Sequence, residues 1–540
     1  MTTRFLILLA LTAIFACQPK KPSLTGGEYF QAPFTRLDTL ATNDWWNRGD
    51  NPIINLKVGR DSVIAFGAYT VTNGVLKLTA QLYPLYPSES KEVILEAKHG
   101  GKWEKLGRQE VHELGWSTSF RVENWDMSQT TPYRLRHGKR ATFIGSIRAV
   151  PASDKEIVLV ALSCNSNKDR GGRPNYVRNI AVVDPDIIFF AGDQSYDHRE
   201  HTAAWLKFGQ QFRETFRHRP MVSIPDDHDI GQGNLWGENG KISKKGAGND
   251  GGYFHHHEYV KMVERCQTAH LPDAYDPTPI EQGIGVYYTS YPLGAVDFAI
   301  IEDRKFKSGP NGKIPKMGPR PDHINDPSYN PDDIDVPGLK LLGDRQLTFL
   351  NEWAENKAGG RMKAVLSATG FCGGAHLHGG ANNRLHADLD SNGWPQTGRN
   401  KAIEAMTKAN AVHIAGDQHL ATMIQHGTEK FRDGPWAFVV PAIVNNYYSR
   451  WWWPEDEKAG ANPVVGSPLP WTGDYLDGFN NKISVNAYAN PDSQSSGAGF
   501  GVIRFSPQSR KVTFDCWPRD ADLRRDAAEQ YPGWPITVEL

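Results

Sequence analysis

From about Leu56 to Val150, apolar and polar residues alternate in short runs such as SVIAFGAYTV, VLKLTAQLYPLY, KEVILEAK and STSFRVENW, with turn residues between them. A period of two predicts strands, and several at this spacing predict a β-sandwich of roughly 90 to 100 residues. After Pro151 the rhythm changes. Glu156 to Leu162, Pro185 to Ala191, Met221 to Ile224, Asp297 to Glu302, Ala364 to Ser367 and Val412 to Ala415 read as buried strands. Trp205, Phe208, Phe212 and Phe216 recur at the spacing of one helix face, and GFGVIRFS with KVTFDCW predicts a late hairpin. The chain therefore reads as an α/β domain over residues 151–540, preceded over residues 51–150 by a small all-β domain of immunoglobulin or fibronectin-like type. No catalytic cluster falls in the smaller domain, which reads as a positioning module.

Two stretches break the pattern. Gly237 to Gly252 and the Pro- and Asp-rich Ser308 to Gly338 have little periodicity. Long irregular loops inside a compact domain serve as lids or binding loops, or are simple insertions; both readings stay open here.

The first residues look like an address. Arg4 precedes a twelve-residue apolar stretch, Phe5 to Ala16, too short to span a bilayer and shaped like a secretory signal. It ends Ile14-Phe15-Ala16-Cys17, which resembles a bacterial lipobox. That resemblance implies a signal over residues 1–16, cleavage before Cys17, acylation of Cys17 and a tether over residues 17–50. The protein would then be an exported, membrane-anchored lipoprotein facing the periplasm or the cell surface. The alternative is an ordinary signal peptide with an incidental cysteine.

Composition narrows the function. With 60 Lys+Arg against 61 Asp+Glu in 540 residues, the net charge of -1 offers no basic excess for general nucleic-acid binding. Cys164, Cys266, Cys372 and Cys516 contain no C-x-x-C pair, and could form two disulfides in an oxidising compartment.

The chemistry lies at strand ends. Four of them deliver Cys164 (in SCNS), Asp193 with Tyr196 (GDQSYD), Asp227 with His228 (DDHD) and Asp417 with His419 (GDQH). Singly, each fits a turn or a core position; together they put ligand-type residues at the ends of strands where sites on α/β sheets form.

Read in order, these four motifs resemble the PhoD-like (alkaline phosphatase D) branch of the calcineurin-type metallophosphoesterases, and the preceding sandwich resembles the amino-terminal domain of that branch. The resemblance covers the chain from about residue 50 to the end. It implies a metallophosphoesterase-type β-sandwich core flanked by helices. The superfamily pattern is D-x-H, G-D, G-N-H-[DE] and G-H-x-H. Here Cys164 and Ser166 replace the first Asp and His, Asp227 holds the Asn position, and Asp417 stands for the first His of the last motif. The PhoD-like branch makes the same kinds of substitution, including a Tyr three residues after the Gly-Asp aspartate, here Tyr196.

By hardness, Asp193 would bridge two ions. Cys164, Tyr196 and His419 would complete one site, a mixed S, N and O set that suits Fe3+, with Zn2+ as the fallback; Asp227 and Asp417 would complete an all-oxygen site for Ca2+, with Mg2+ or Mn2+ as alternatives. An iron–calcium pair is also what the resemblance implies. Two such ions can hold a hydroxide and clamp phosphoryl oxygens, with His228 stabilising or protonating the leaving oxygen. The expected activity is hydrolysis of phosphomonoesters or phosphodiesters.

Weaker candidates surround this set. Arg173, Asn234 and Arg399 are candidate substrate ligands, against readings as a solvent-facing loop arginine, a turn residue and a pocket-shaping residue beside Asp390 and Asn392. His376 or His378 could supply a further ligand; His255 to His257 read as an exposed run; and Arg450 to Pro454 (RWWWP) is either core or a stacking loop. The competing class is a surface glycan-binding lipoprotein with a structural or vestigial metal site, against which the intact ligand set weighs. A thiol enzyme built on Cys164 lacks a neighbouring base.

Overall fold

The computed structural model describes residues 28–540 apart from 48, 245–247, 376, 379–384, 446–449, 453–457 and 490–496. The alternating region forms seven strands in two sheets. One has the order Ile64–Thr72, Val75–Leu82, Ser117–Val122; the other Lys102–Glu110, Glu92–His99, Thr131–His137, Ala141–Ile147. In Thr131–His137 the pleat buries Thr131, Tyr133, Leu135 and His137 and leaves the intervening residues more open. Ile64–Thr72 is instead buried throughout, because the helix His201–Phe216 covers its second face: Phe66 meets Trp205 and Phe216 edge-on, with ring centroids 5.6 and 5.5 Å apart.

The larger region is two facing sheets. The first runs Met221–Ser223, Ile187–Phe190, Ile157–Asn165, Gly499–Ser506, Lys511–Pro518, Ile536–Glu539, with Ala442–Val444 also paired to Ile157–Asn165. The second runs Thr289–Leu293, Val296–Ile300, Met362–Thr369, Ala411–Gly416, Trp436–Val439, Thr422–His426, Lys482–Tyr488, Gly473–Leu476. Leu159, Phe189, Phe298, Leu366, Ile414 and Phe505 fill the space between them, and Phe298 meets Phe505 across it at 5.8 Å. Each such side chain is worth about 1.5–3 kcal/mol in area removed from water. Gly343–Glu355 and Gln396–Ala409 pack on each other beside the second sheet. This is the α/β class, with the sandwich core, the flanking helices and the smaller all-β sandwich that the sequence predicts.

Two details differ from the local pattern. The strand read as ending at Leu162 runs on to Asn165, because Ala442 and Val444 pair in parallel with Ser163 and Asn165 from far along the chain. Residues 28–47, read as tether, are packed: Phe34, Leu37, Ala41 and Trp46 are buried, and the Asp38 N–H donates to the Arg199 carbonyl at 2.5 Å. Cys17 and the apolar stretch before it lie outside the described residues. The four described cysteines are buried and unpaired, and no described helix is long and apolar enough to cross a membrane.

Candidate metal centre

Ile157–Asn165, Ile187–Phe190 and Met221–Ser223 are parallel, as are Val296–Ile300, Met362–Thr369 and Ala411–Gly416, so their carboxyl ends deliver consecutive loops. The Asp417 N–H donates to Ser163 Oγ at 3.0 Å and ties one sheet's rim to the other. Two glycines allow this approach. A Cβ on Gly192 (φ 96°) would stand 2.5 Å from the Asp226 Cβ, and one on Gly416 would stand 2.1 Å from Ser163 Oγ. The Gly-Asp of both motifs is thus a packing requirement as much as a turn. Cys164, Asp193, Asp417 and His419 themselves sit at φ between 55° and 65°, a left-handed conformation that costs of order 1 kcal/mol or more per non-glycine residue and concentrates at functional sites. In PDDHD, Asp226 caps the short helix Asp227–Ile230, while the Asp229 carboxylate accepts the N–H groups of Asp226 (3.0 Å) and Asp193 (2.8 Å). One carboxylate therefore fixes two strand ends.

The six predicted ligands converge. Cys164 Sγ, an Asp193 oxygen and an imidazole nitrogen of His419 lie within 4.8 Å of one another; so do carboxylate oxygens of Asp193, Asp226, Asp227 and Asp417. The Tyr196 hydroxyl donates to Asp193 Oδ2 at 2.8 Å and lies 2.9 Å from His419 Nε2. Asn445 orients His419, donating to its carbonyl at 2.8 Å with Oδ1 3.3 Å from Nδ1. A ring nitrogen of His228 lies within 4.8 Å of oxygens of Asp193 and Asp227, and its Nδ1 is 2.5 Å from His198 Nε2.

The electrostatics ask for cations. Asp193, Asp226, Asp227 and Asp417 are all buried, and Asp390 stands beside them. Arg304 is the guanidinium that meets them, at 2.6 Å from Asp226 and Asp390 and 3.0 Å from Asp417. Burial, then neighbouring carboxylates, pushes Asp193 and Asp227 well above the usual carboxylate range; Asp226 is pushed the same way by burial against the pull of Arg304. Burial, then Asp193, also raises Cys164 and Tyr196, and burial with His198 nearby holds His228 well below an ordinary imidazole. Asp227 Oδ1 is buried and accepts no hydrogen bond from the described residues. A desolvated carboxylate surplus with an orphaned oxygen fits metal ions, whose ligands at about 2.0–2.5 Å would draw these donors into one shell.

No protein-family model matches this sequence, and no curated protein matches it. Solved structures do. A structure of PhoD covers 89% of this chain and 91% of its own, with TM-score 0.61 at 14% identity. The chain has the PhoD fold. Purple acid phosphatase PPD1 isolated from yellow lupin (Lupinus luteus) seeds is also similar, with TM-score 0.52 and 12% identity over 88% of this chain and 73% of that one.

On this PhoD fold the remaining candidates separate. Arg173 is not solvent-facing. It is buried, with Nε and Nη2 donating to Asn165 Oδ1 at 3.0 and 2.8 Å and Nη1 to the Gly171 carbonyl. Arg399 is fully buried, donating to the carbonyls of Phe371 and Gly427 and lying 3.1 Å from His426 Nδ1. Both arginines brace loops from within, so neither offers its guanidinium to a substrate. Asn234 lines a cavity beside His198, and His255, from the run read as exposed, lines it too with Nε2 2.9 Å from the Gly231 carbonyl. His256 is exposed and caps the helix His257–Thr268. Trp452 is core, donating to the Trp471 carbonyl, whereas Trp453 and Pro454 lie outside the described residues. So do His376 and the side chain of His378. Asp390 reaches the centre through Arg304, whereas Asn392 donates to the neighbouring Asp303 carboxylate. The sequence reading missed Arg304, Asp226, His198 and Asn445; for Arg304 its only signal is a charged tripeptide, Asp303-Arg304-Lys305, directly after a buried strand.

Proposed function

We propose that the protein is a metal-dependent phosphoric ester hydrolase acting on phosphomonoesters or phosphodiesters. The observation that carries this is the pair of donor sets that share Asp193 at the rim of the two sheets, with more buried carboxylates than Arg304 can answer. Cys164, Tyr196, His419 and Asp193 would hold one ion, Fe3+ by donor type; Asp193, Asp227 and Asp417, with Asp226 adjacent, would hold the other, Ca2+ by donor type. Bound there, such ions acidify water and polarise phosphoryl oxygens.

The side chains of this chain supply the rest. With Nδ1 facing His198 Nε2, His228 keeps Nε2 to hydrogen-bond the departing oxygen and stabilise its charge. Arg304 fixes Asp226 and Asp417, and Asn445 fixes the His419 ring. Export and acylation at Cys17 remain part of this proposal on the strength of the sequence signature, and replacing Cys17 by Ser should move the protein from the membrane to the soluble fraction.

Chromogenic monoester and diester hydrolysis by the chain starting after Cys17, before and after chelation, tests the activity. Chelator-sensitive turnover, with two metals per chain by elemental analysis, is expected. Metal-loaded protein inert toward both esters would sink it.

A further inference from the structure

Residues 28–47 form a strap fixed to both domains. Asn43 Oδ1 accepts the Ala32 N–H at 2.9 Å, and Asn47 Nδ2 donates to the Tyr29 hydroxyl at 3.1 Å, so the two ends of the strap lie side by side. The Trp116 indole donates to the Ala41 carbonyl at 2.7 Å and ties the strap to the smaller sandwich. Glu200 accepts Thr39 Oγ1 at 2.6 Å and the Leu40 N–H at 2.9 Å, and Asp38 accepts the Thr202 N–H at 2.8 Å, which ties it to the larger domain. Glu28 stands only eleven positions after Cys17. Fully extended, that length reaches about 40 Å, whereas a compact chain of this size is about 60 Å across. An acyl group on Cys17 would therefore hold the strap side of the molecule toward the bilayer.

That side carries a hollow of about 690 Å³ where residues 32–37 meet Arg199, Phe254 and His256. Arg36 and Arg199 line it, both exposed, and among the described residues no carboxylate does. The nearby acids are engaged elsewhere: Glu200 with Thr39 and Leu40, Glu258 with Lys261, and Asp38 in the interior. Glu28 and Asp44, the strap's other acids, do not line the hollow. The Asp38 N–H donates to the Arg199 carbonyl at 2.5 Å and so keeps the segments of the two arginines together. Guanidinium groups are suited to phosphate oxygens, and a hollow of this volume admits a small polar group. Trp45, on the same strap, is 57% exposed, and tryptophan settles at the boundary between lipid and water.

We propose that this hollow seats the headgroup of an anionic phospholipid in the membrane that carries the anchor, with Arg36 and Arg199 on the headgroup phosphate and Trp45 in the interface beside it. The acyl group makes the contact intramolecular, so a weak site suffices to orient the protein on the bilayer. This rests on the acylation reading above and is independent of the hydrolase reading.

The test uses the chain starting after Cys17, with Lys20→Gln and Lys21→Gln so that the tether adds no positive charge. It is cosedimented with vesicles of phosphatidylcholine alone and of equal parts phosphatidylcholine and phosphatidylglycerol. Partitioning should favour the anionic vesicles about tenfold or more at low salt, and the preference should vanish at high salt. Arg36→Gln and Arg199→Gln should each cut it about fivefold, and the two together should remove it. Trp45→Ser should lower binding to both kinds of vesicle and leave the preference intact. Equal binding to the two vesicles, no binding to either, or a preference that survives loss of both arginines overturns the proposal. So does arginine-dependent calorimetric binding of glycerol phosphate without vesicle preference, which would make the hollow a site for a soluble anion. Fractionation of full-length Cys17→Ser reads the anchor separately: if it partitions as wild type does, the acylation reading fails, and the vesicle result still decides the hollow.

Discussion

Arg304 and Lys305 are neighbours in the chain and equally buried, with side chains 3% exposed, yet they serve different clusters. Lys305 lies 2.9 Å from Glu264 and 2.5 Å from Glu302, donates to the Gly285 carbonyl and sits over the Tyr287 ring. Burial pushes Glu264 up to about 7, so a shared proton completes the balance. Next door, the Asp303 carboxylate accepts the N–H groups of Ala368 and Thr369 and the Asn392 amide. Those groups are closed in charge. Arg304 instead meets three carboxylates while Asp193 and Asp227 stand behind them. Matched buried charge holds a fold together; a buried surplus of one sign marks where something else binds.

The sharpest way to break this contrast is Asp193→Ala, since Asp193 belongs to both donor sets. Turnover should fall on the order of 10³-fold or more, and bound metal should drop below the wild-type content by elemental analysis. Full metal content in this variant would mean that the surplus is not a metal site. Next in size are Arg304→Met and Lys305→Met. Each breaks a buried ionic cluster, for about 3–5 kcal/mol in denaturant unfolding. Lys305→Met should leave metal content and turnover per folded molecule unchanged, whereas Arg304→Met, which frees Asp226 and Asp417, should also weaken metal retention about 10–100-fold. Equal behaviour of the two would erase the distinction. Smaller again is His228→Asn: about 10²-fold on an alkyl phosphate, whose leaving oxygen gathers localised charge, and much less on a nitrophenyl ester, whose leaving oxygen delocalises it.

The closed and open clusters were not equally legible in the sequence. Cys164, Asp193, Tyr196, Asp227, Asp417 and His419 could be placed because each follows an apolar strand, and strand ends are where α/β sheets gather their chemistry. Helix His201–Phe216 was legible through its aromatic spacing. Arg304 was not, because its partners lie 78, 86 and 113 residues away and an arginine in a charged run reads as solvated surface. In PDDHD, period and spacing cannot say which aspartate faces the guanidinium; Arg304 takes Asp226, and Asp227 keeps its open oxygen. Arg173 failed for the same reason: its glycine-rich loop folds back over it, a long-range outcome with no local signature.

A third kind of buried carboxylate lies between the two extremes. Asp38 is fully buried, and its oxygens accept Thr202 N–H at 2.8 Å and Oγ1 at 2.6 Å, with Glu200 rather than a cation nearby. Burial, opposed by those two donors, raises it from 3.8 to about 7. Between those values the folded chain keeps a proton that the unfolded chain has lost. Asp38 therefore contributes most below about pH 4, loses that contribution as pH rises to about 7, and changes nothing further above it. The slope should approach 1.4 kcal/mol per pH unit in that window. Glu200 is raised as well and adds to it with the same sign, so the readout is the difference between wild type and Asp38→Asn in denaturant unfolding at several pH values. The variant keeps an acceptor for the Thr202 N–H and should flatten the curve by about one proton. An unchanged slope would mean that Asp38 is ionised in the fold, and that a buried carboxylate here needs neither a proton, a lysine nor a metal to be tolerated. That result would weaken the reading of surplus charge at Asp193 as well, because the same desolvation argument underlies both.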